Sequence, residues 1–107
     1  MRENQGDNRR RPVIRKKSST NGHVSLTFVL PDESVSVSVV GDFNAWDPHS
    51  NPLRKRSNGT RSATVDLLKG ETTRFRYLDA TGRFFDDPDG DAYEPNGFGE
   101  THTVLLV

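Results

Sequence analysis

Cysteine is absent from this chain of 107 residues, which excludes disulfide staples and thiolate metal sites. A fold of this size must then be held by its core, as suits a reducing cytosol. Long apolar runs are missing too. No segment approaches the roughly 20 residues needed to cross a bilayer, and the first residues lack the hydrophobic stretch of a secretory signal. The reading is a soluble, cytoplasmic protein. Apolar residues in general are scarce, at 31% of the chain, with a single tryptophan and no net charge.

That shortage is uneven. Residues 1–23 carry seven Arg or Lys against two acids, whereas residues 24–107 carry eight against thirteen. The neutral total hides a basic tail on an acidic domain. Residues 1–22 have only Val13 and Ile14 as aliphatic branches, too little apolar surface to offset the entropy of ordering, so a disordered basic tail is expected there. The clusters Arg9-Arg10-Arg11 and Arg15-Lys16-Lys17 attract polyanions through a salt-sensitive, sequence-blind term. No aromatic residues interleave with them to stack on bases, so nucleic acid is not the expected partner and the tail reads as a solubilising extension.

From His23 onward the pattern is short strands between turn residues. Leu26, Phe28 and Leu30 alternate on one face, Pro31-Asp32-Glu33 breaks the run, and Val35, Val37 and Val39 form the next inward row with the intervening serines outward. These two runs are expected to pair as an antiparallel hairpin. Asn58-Gly59 signals a second hairpin, between residues 52–56 and 61–67. Thr73, Phe75 and Tyr77 then line the apolar side of a strand whose other face carries Arg74 and Arg76. Asp79-Ala80-Thr81-Gly82 turns the chain into residues 83–86, a long polar loop follows, and residues 101–107 close the domain. About seven strands with no helical periodicity predict an all-β, antiparallel β-sandwich over residues 23–107.

The chemistry-bearing residues argue against catalysis. His23, His49 and His102 are scattered, and no serine stands in a recognisable nucleophile turn. The carboxylates between Asp86 and Asp91 sit in a loop rich in proline and glycine, expected to be solvated and without the apolar pocket that raises an acid's pKa. Asp87, Asp89 and Asp91 alternate as in a calcium loop, but Ala92 and Phe98 occupy the positions that need glycine and glutamate. Glycines 90, 97 and 99 follow no strand-to-helix pattern that would cradle phosphate. Neither a metal nor a cofactor is expected. Aromatic residues remain: Trp46, Phe84 and Phe98 in or beside loops, with Arg76 on an outward strand face. Flat rings stack on the C–H face of a pyranose while polar neighbours bind its hydroxyls, though the same groups also suit a peptide or partner protein.

The order Gly41-Asp42-Phe43-Asn44-Ala45-Trp46, then Leu68-Lys69-Gly70-Glu71, Phe75-Arg76-Tyr77-Leu78-Asp79, Asp87-Pro88 and a final aliphatic strand resembles the glycogen-binding domains. These form carbohydrate-binding module family 48, the isoamylase N-terminal or early-set domains, which include the β subunit of AMP-activated protein kinase and the N-terminal domains of branching and debranching enzymes. The resemblance spans residues 24–107. It implies an immunoglobulin-like sandwich that binds α-1,4-glucan such as glycogen, starch or maltooligosaccharide. Position by position it implies that Trp46 and Phe84 stack on sugar, Arg76 and His102 hydrogen-bond hydroxyls, and Phe98 contacts the coiled glucan. The chain departs from the family at Phe84, where binders have tryptophan, at His102, where they have asparagine, and at Glu100, which replaces threonine. The alternative is a regulatory or protein-interaction module of a glucan-metabolising enzyme that has lost sugar binding. Because the sequence stops at the closing strand, a free-standing module is expected, with any such enzyme acting as a partner in trans.

Overall fold

The computed structural model describes residues 12–19, 21–33 and 35–107. The first eleven residues of the expected tail, including Arg9-Arg10-Arg11, lie outside them.

Nine strands among the described residues form two antiparallel sheets. The first sheet runs β1 (Val13–Ser18), β2 (His23–Pro31), β5 (Thr60–Leu68), β4 (Arg54–Lys55). The second runs β3 (Val37–Gly41), β6 (Thr72–Asp79), β9 (Thr101–Leu106), β8 (Ala92–Pro95), and the short β7 (Phe84–Phe85) also pairs with β6. Leu26, Phe28 and Leu30 from the first sheet meet Val39, Phe75, Tyr77 and Leu105 from the second. Phe28, Phe75 and Tyr77 are fully buried and contact one another at 4.8 to 6.3 Å between ring centroids. Each such pair adds about 0.5–1.5 kcal/mol beyond its area burial.

The all-β sandwich expected from alternation is the observed architecture, and the inward rows Ala63-Val65-Leu67 and Thr73-Phe75-Tyr77 face the core side. Arg54 and Lys55 pair with Ser62 and Arg61 around Asn58-Gly59 as that turn signal requires. Three expectations about the strands change. Residues 24–30 and 35–39 do not form a hairpin: β2 pairs with β1 and β5 while β3 pairs with β6, so Pro31 to Ser36 carries the chain from one sheet to the other. Alternation fixes which side chains face inward, but in a sandwich the inward faces of opposite sheets look alike.

The second change concerns the tail. Val13–Ser18 is a strand, so residues 1–22 are not disordered throughout, and the domain begins earlier than residue 23. Ile14 packs on the core, and the Lys16 ammonium donates to the Leu106 carbonyl of the other sheet at 2.7 Å. A long stem lets a charged residue fill an inward edge position while its head stays polar-bonded. Together β1 and β8, the latter placed where a polar loop was expected, account for the increase from seven strands to nine. Third, coverage of the closing strand on both faces holds at Val104 and Leu105 but not at Leu106, which is 56% exposed.

One carboxylate of the acidic loop departs from its expected solvation. Asp87 is fully buried and accepts the Tyr77 hydroxyl at 2.6 Å and the Asp89 amide at 2.8 Å. Burial raises its carboxyl above the usual range, against the lowering effect of those two bonds. Burial, and then the negative Asp87, push the Tyr77 phenol well above its ordinary value. Asp91 stays exposed and accepts the Leu106 amide at 2.7 Å.

Tyr77 is an acid whose folded pKa exceeds its unfolded value, so the stability it contributes is intact below about pH 10 and declines as pH rises beyond that. Thermal melts from pH 8 to 11.5 should show this decline, and Tyr77→Phe should flatten it. The same variant should lose about 1–3 kcal/mol at pH 7, because Asp87 is left short of a buried donor.

Candidate functional site

The site lies on the outer face of the second sheet, and β6 organises it. β3 occupies one edge of β6 over Phe75–Asp79, so β7 and β9 must share the other, with β9 pairing to Thr72–Phe75 and β7 to Tyr77–Leu78. Arg76 falls where one neighbour gives way to the next. Phe75 and Tyr77 point into the core, which leaves Arg76 on the outer face. Its guanidinium meets Asp86 just after β7 at 3.3 Å and Glu100 just before β9 at 2.7 Å. It also lies 5.4 Å from the Phe84 ring centre, a cation–π contact.

Trp46 is placed by the stretch that precedes it, where each residue has a defined task. A Cβ on Gly41 would lie 2.5 Å from the Arg74 carbonyl oxygen and 2.8 Å from the Phe75 Cβ, so only glycine allows β3 to approach β6 this closely. Asp42 accepts the Trp46 indole N–H at 3.2 Å and the Arg74 amide at 3.2 Å. Phe43 stacks on the core ring of Phe28 at 5.9 Å. The Asn44 side chain accepts from the amides of Gly41 and Trp46, and donates to the Val39 carbonyl and the Asn51 side chain. Ala45 and Trp46 are the two non-glycine residues with left-handed backbone among the described residues, φ 56° and 61°. That conformation is unfavourable for them and is held by the surrounding bonds.

Trp46, Arg76, Phe84, Phe98 and His102, far apart in sequence, line one open groove of about 550 Å³, together with Asn96 and Glu100. Trp46 is 36% exposed, Phe84 44% and Phe98 88%. The His102 ring lies 6.2 Å from the indole, and its Nε2 is 3.3 Å from Glu94. Glu94 also accepts Arg74 Nε at 2.8 Å, and the Arg74 bond, then that of His102, holds its carboxyl below the usual range. Phe98 projects from a turn in which Asn96 Oδ1 accepts the Phe98 and Glu100 amides.

Asn96 had no signal beyond its place before a Gly-Phe-Gly turn, and Asp86 was hidden among loop carboxylates. Glu100 stood out only as a departure from the family pattern. Asp86 accepts from Thr101 and Thr103 as well as Arg76, contacts that no spacing in the sequence announces. Among the described residues no group of His, Asp or Glu is arranged to hold a metal ion, and no helix is long and apolar enough to cross a membrane.

No protein-family model matches the chain. A 48-residue segment is 50% identical to part of a 1,4-alpha-glucan branching enzyme of Rhizobium johnstonii, covering 43% of this chain and 6% of that enzyme. A segment of the same length is 38% identical to a 1,4-alpha-glucan branching enzyme of Xanthomonas campestris pv. campestris, covering 44% and 7%. The chain thus shares short homologous segments with glucan branching enzymes and spans only a small part of their length. Among solved structures, the enterobactin esterase of Shigella flexneri superimposes with a TM-score of 0.67 over 98% of this chain and 34% of the esterase, at 12% identity, a likeness of fold.

The Gly41–Trp46 stretch can be tested at two points. Gly41→Ala should cost about 1–3 kcal/mol in chemical denaturation, because the contact it would break is with backbone. Asn44→Ala removes four hydrogen bonds and should raise the mobility of Trp46, read as a fall in its steady-state fluorescence anisotropy with the fold retained.

Proposed function

We propose that the domain is a non-catalytic carbohydrate-binding module for α-1,4-glucan: glycogen, starch or maltooligosaccharide. The observation that carries this reading is the convergence of Trp46, Phe84 and Phe98 on one groove beside Asn96, Glu100 and His102. Three rings separated by polar groups match a sugar chain, whose faces are partly apolar and whose edges bear hydroxyls. The homologous segment in glucan branching enzymes supports a glucan-associated role. Trp46 and Phe84 supply the stacking surfaces and Phe98 a shape-defining contact, while His102 contributes a hydrogen bond.

Arg76 takes a different part from the sugar-binding one first assigned to it. It is buried, bound by two carboxylates and set against Phe84, so it fixes the platform. Aromatic contacts of about 0.5–1.5 kcal/mol each give a short site micromolar to millimolar affinity, which several copies along a polymer would multiply. A glucan-metabolising enzyme is the natural companion.

Titration with maltoheptaose and β-cyclodextrin, followed at the single indole N–H by NMR, should move that resonance saturably, with no movement on adding cellohexaose. Trp46→Ala should abolish glucan binding and shift the melting temperature by only a few degrees, as expected for a side chain this exposed. An indole that stays still at millimolar sugar would overturn the glucan reading in favour of a protein-docking surface.

A further inference from the structure

We infer that Glu100 is the specificity residue of this groove, making it accept neutral α-glucan and disfavour phosphate-bearing glucan. This deepens the glucan reading above and rests on it. Arg76 is the cation nearest the rings, yet its Nε is held by Asp86 and its Nη1 by Glu100, and the residue is 8% exposed. Arg74 is held in the same way between Asp42 and Glu94. Neither guanidinium can turn toward an incoming anion without breaking two ion pairs.

Glu100 is placed differently. Its side chain is exposed, and only Oε1 contacts Arg76, so among the described residues Oε2 has no protein partner. A carboxylate oxygen at the groove wall accepts hydrogen bonds from sugar hydroxyls and carries no donor with which to satisfy a phosphate. Asn96 Oδ1 is occupied by two backbone amides, which leaves its NH2 group as the complementary donor. The groove therefore offers an acceptor and a donor suited to neutral hydroxyls.

The charge around the groove points the same way. The two guanidiniums, Arg74 and Arg76, face four carboxylates: Asp42, Asp86, Glu94 and Glu100. A phosphate monoester bears about −1.5 to −2 charges at neutral pH and meets this surplus of negative charge. A neutral chain of the same length meets none of that repulsion. Discrimination by a repulsive element needs no extra contact with the favoured ligand.

The test is calorimetric titration of the wild-type protein, Glu100→Gln and Glu100→Thr with maltoheptaose and with maltoheptaose bearing one 6-phosphate, at 20 mM and 500 mM salt. Wild type should bind the neutral chain about tenfold more tightly at low salt. High salt should shrink that ratio, because exposed charges are screened. Either variant should reduce it to about threefold or less while weakening neutral binding several-fold. A purely structural Glu100 would weaken both ligands alike and leave the ratio unchanged, which would overturn the inference, as would equal wild-type affinities for the two chains. Binding of neither ligand by wild type would remove the glucan reading itself. Should both variants unfold, the salt dependence of the wild-type ratio alone decides, and a ratio indifferent to salt counts against Glu100.

Discussion

The side-chain amide of Asn44 is the fixed point from which the groove is built. It joins Gly41, Val39, Asn51 and Trp46 through four hydrogen bonds, using both its oxygen and its nitrogen. Those bonds hold two non-glycine residues in left-handed backbone, which local preference alone would not do. With the main chain set, the indole has one direction to point, and Asp42 holds it by its N–H. Arg76 plays the matching part on the far side, where two strands meet end to end along β6 and their termini supply Asp86 and Glu100. Both rims are thus held by polar side chains that the sheet positions, with Trp46 fixed on one and Phe84 on the other.

Much of this was legible in the sequence. Alternation gave the strands and their inward rows, and Asn58-Gly59 marked a true hairpin. The five candidate residues meet in space because motif order carries topology that spacing does not. Other parts were illegible for physical reasons. The hairpin expected between β2 and β3 failed because sheet membership depends on which strands find edges to pair with, a property of the whole fold. β1 was hidden because its run Arg15-Lys16-Lys17 looks solvated until Ile14 is seen against the core and the Lys16 ammonium on the Leu106 carbonyl. Asp87 looked like one more loop carboxylate, and only the packing of Tyr77 reveals that it is buried. The ion pairs of Arg76 were illegible for a similar cause, since its partners lie 10 and 24 residues away.

The electrostatics of the outer face follow one plan. Each guanidinium is shared by two carboxylates, Arg74 by Asp42 and Glu94, Arg76 by Asp86 and Glu100. Exposed ion pairs such as those of Arg74 contribute little to stability individually. Their effect here is on shape, since a planar fork held at both ends cannot swing, and the ring lying against it is steadied. Of the four carboxylates, Glu100 is the one that also lines the groove.

Asp86 and Asp87 sit side by side in an extended stretch and face opposite ways. Asp86 grips Arg76, Thr101 and Thr103 beneath the groove, while Asp87 grips Tyr77 inside the sandwich. The pair acts as a rivet through the sheet. A push on the Arg76 side of the groove therefore passes through this dipeptide into the aromatic core. That part of the outer face is as stiff as the sandwich beneath it, although it is bordered by loops.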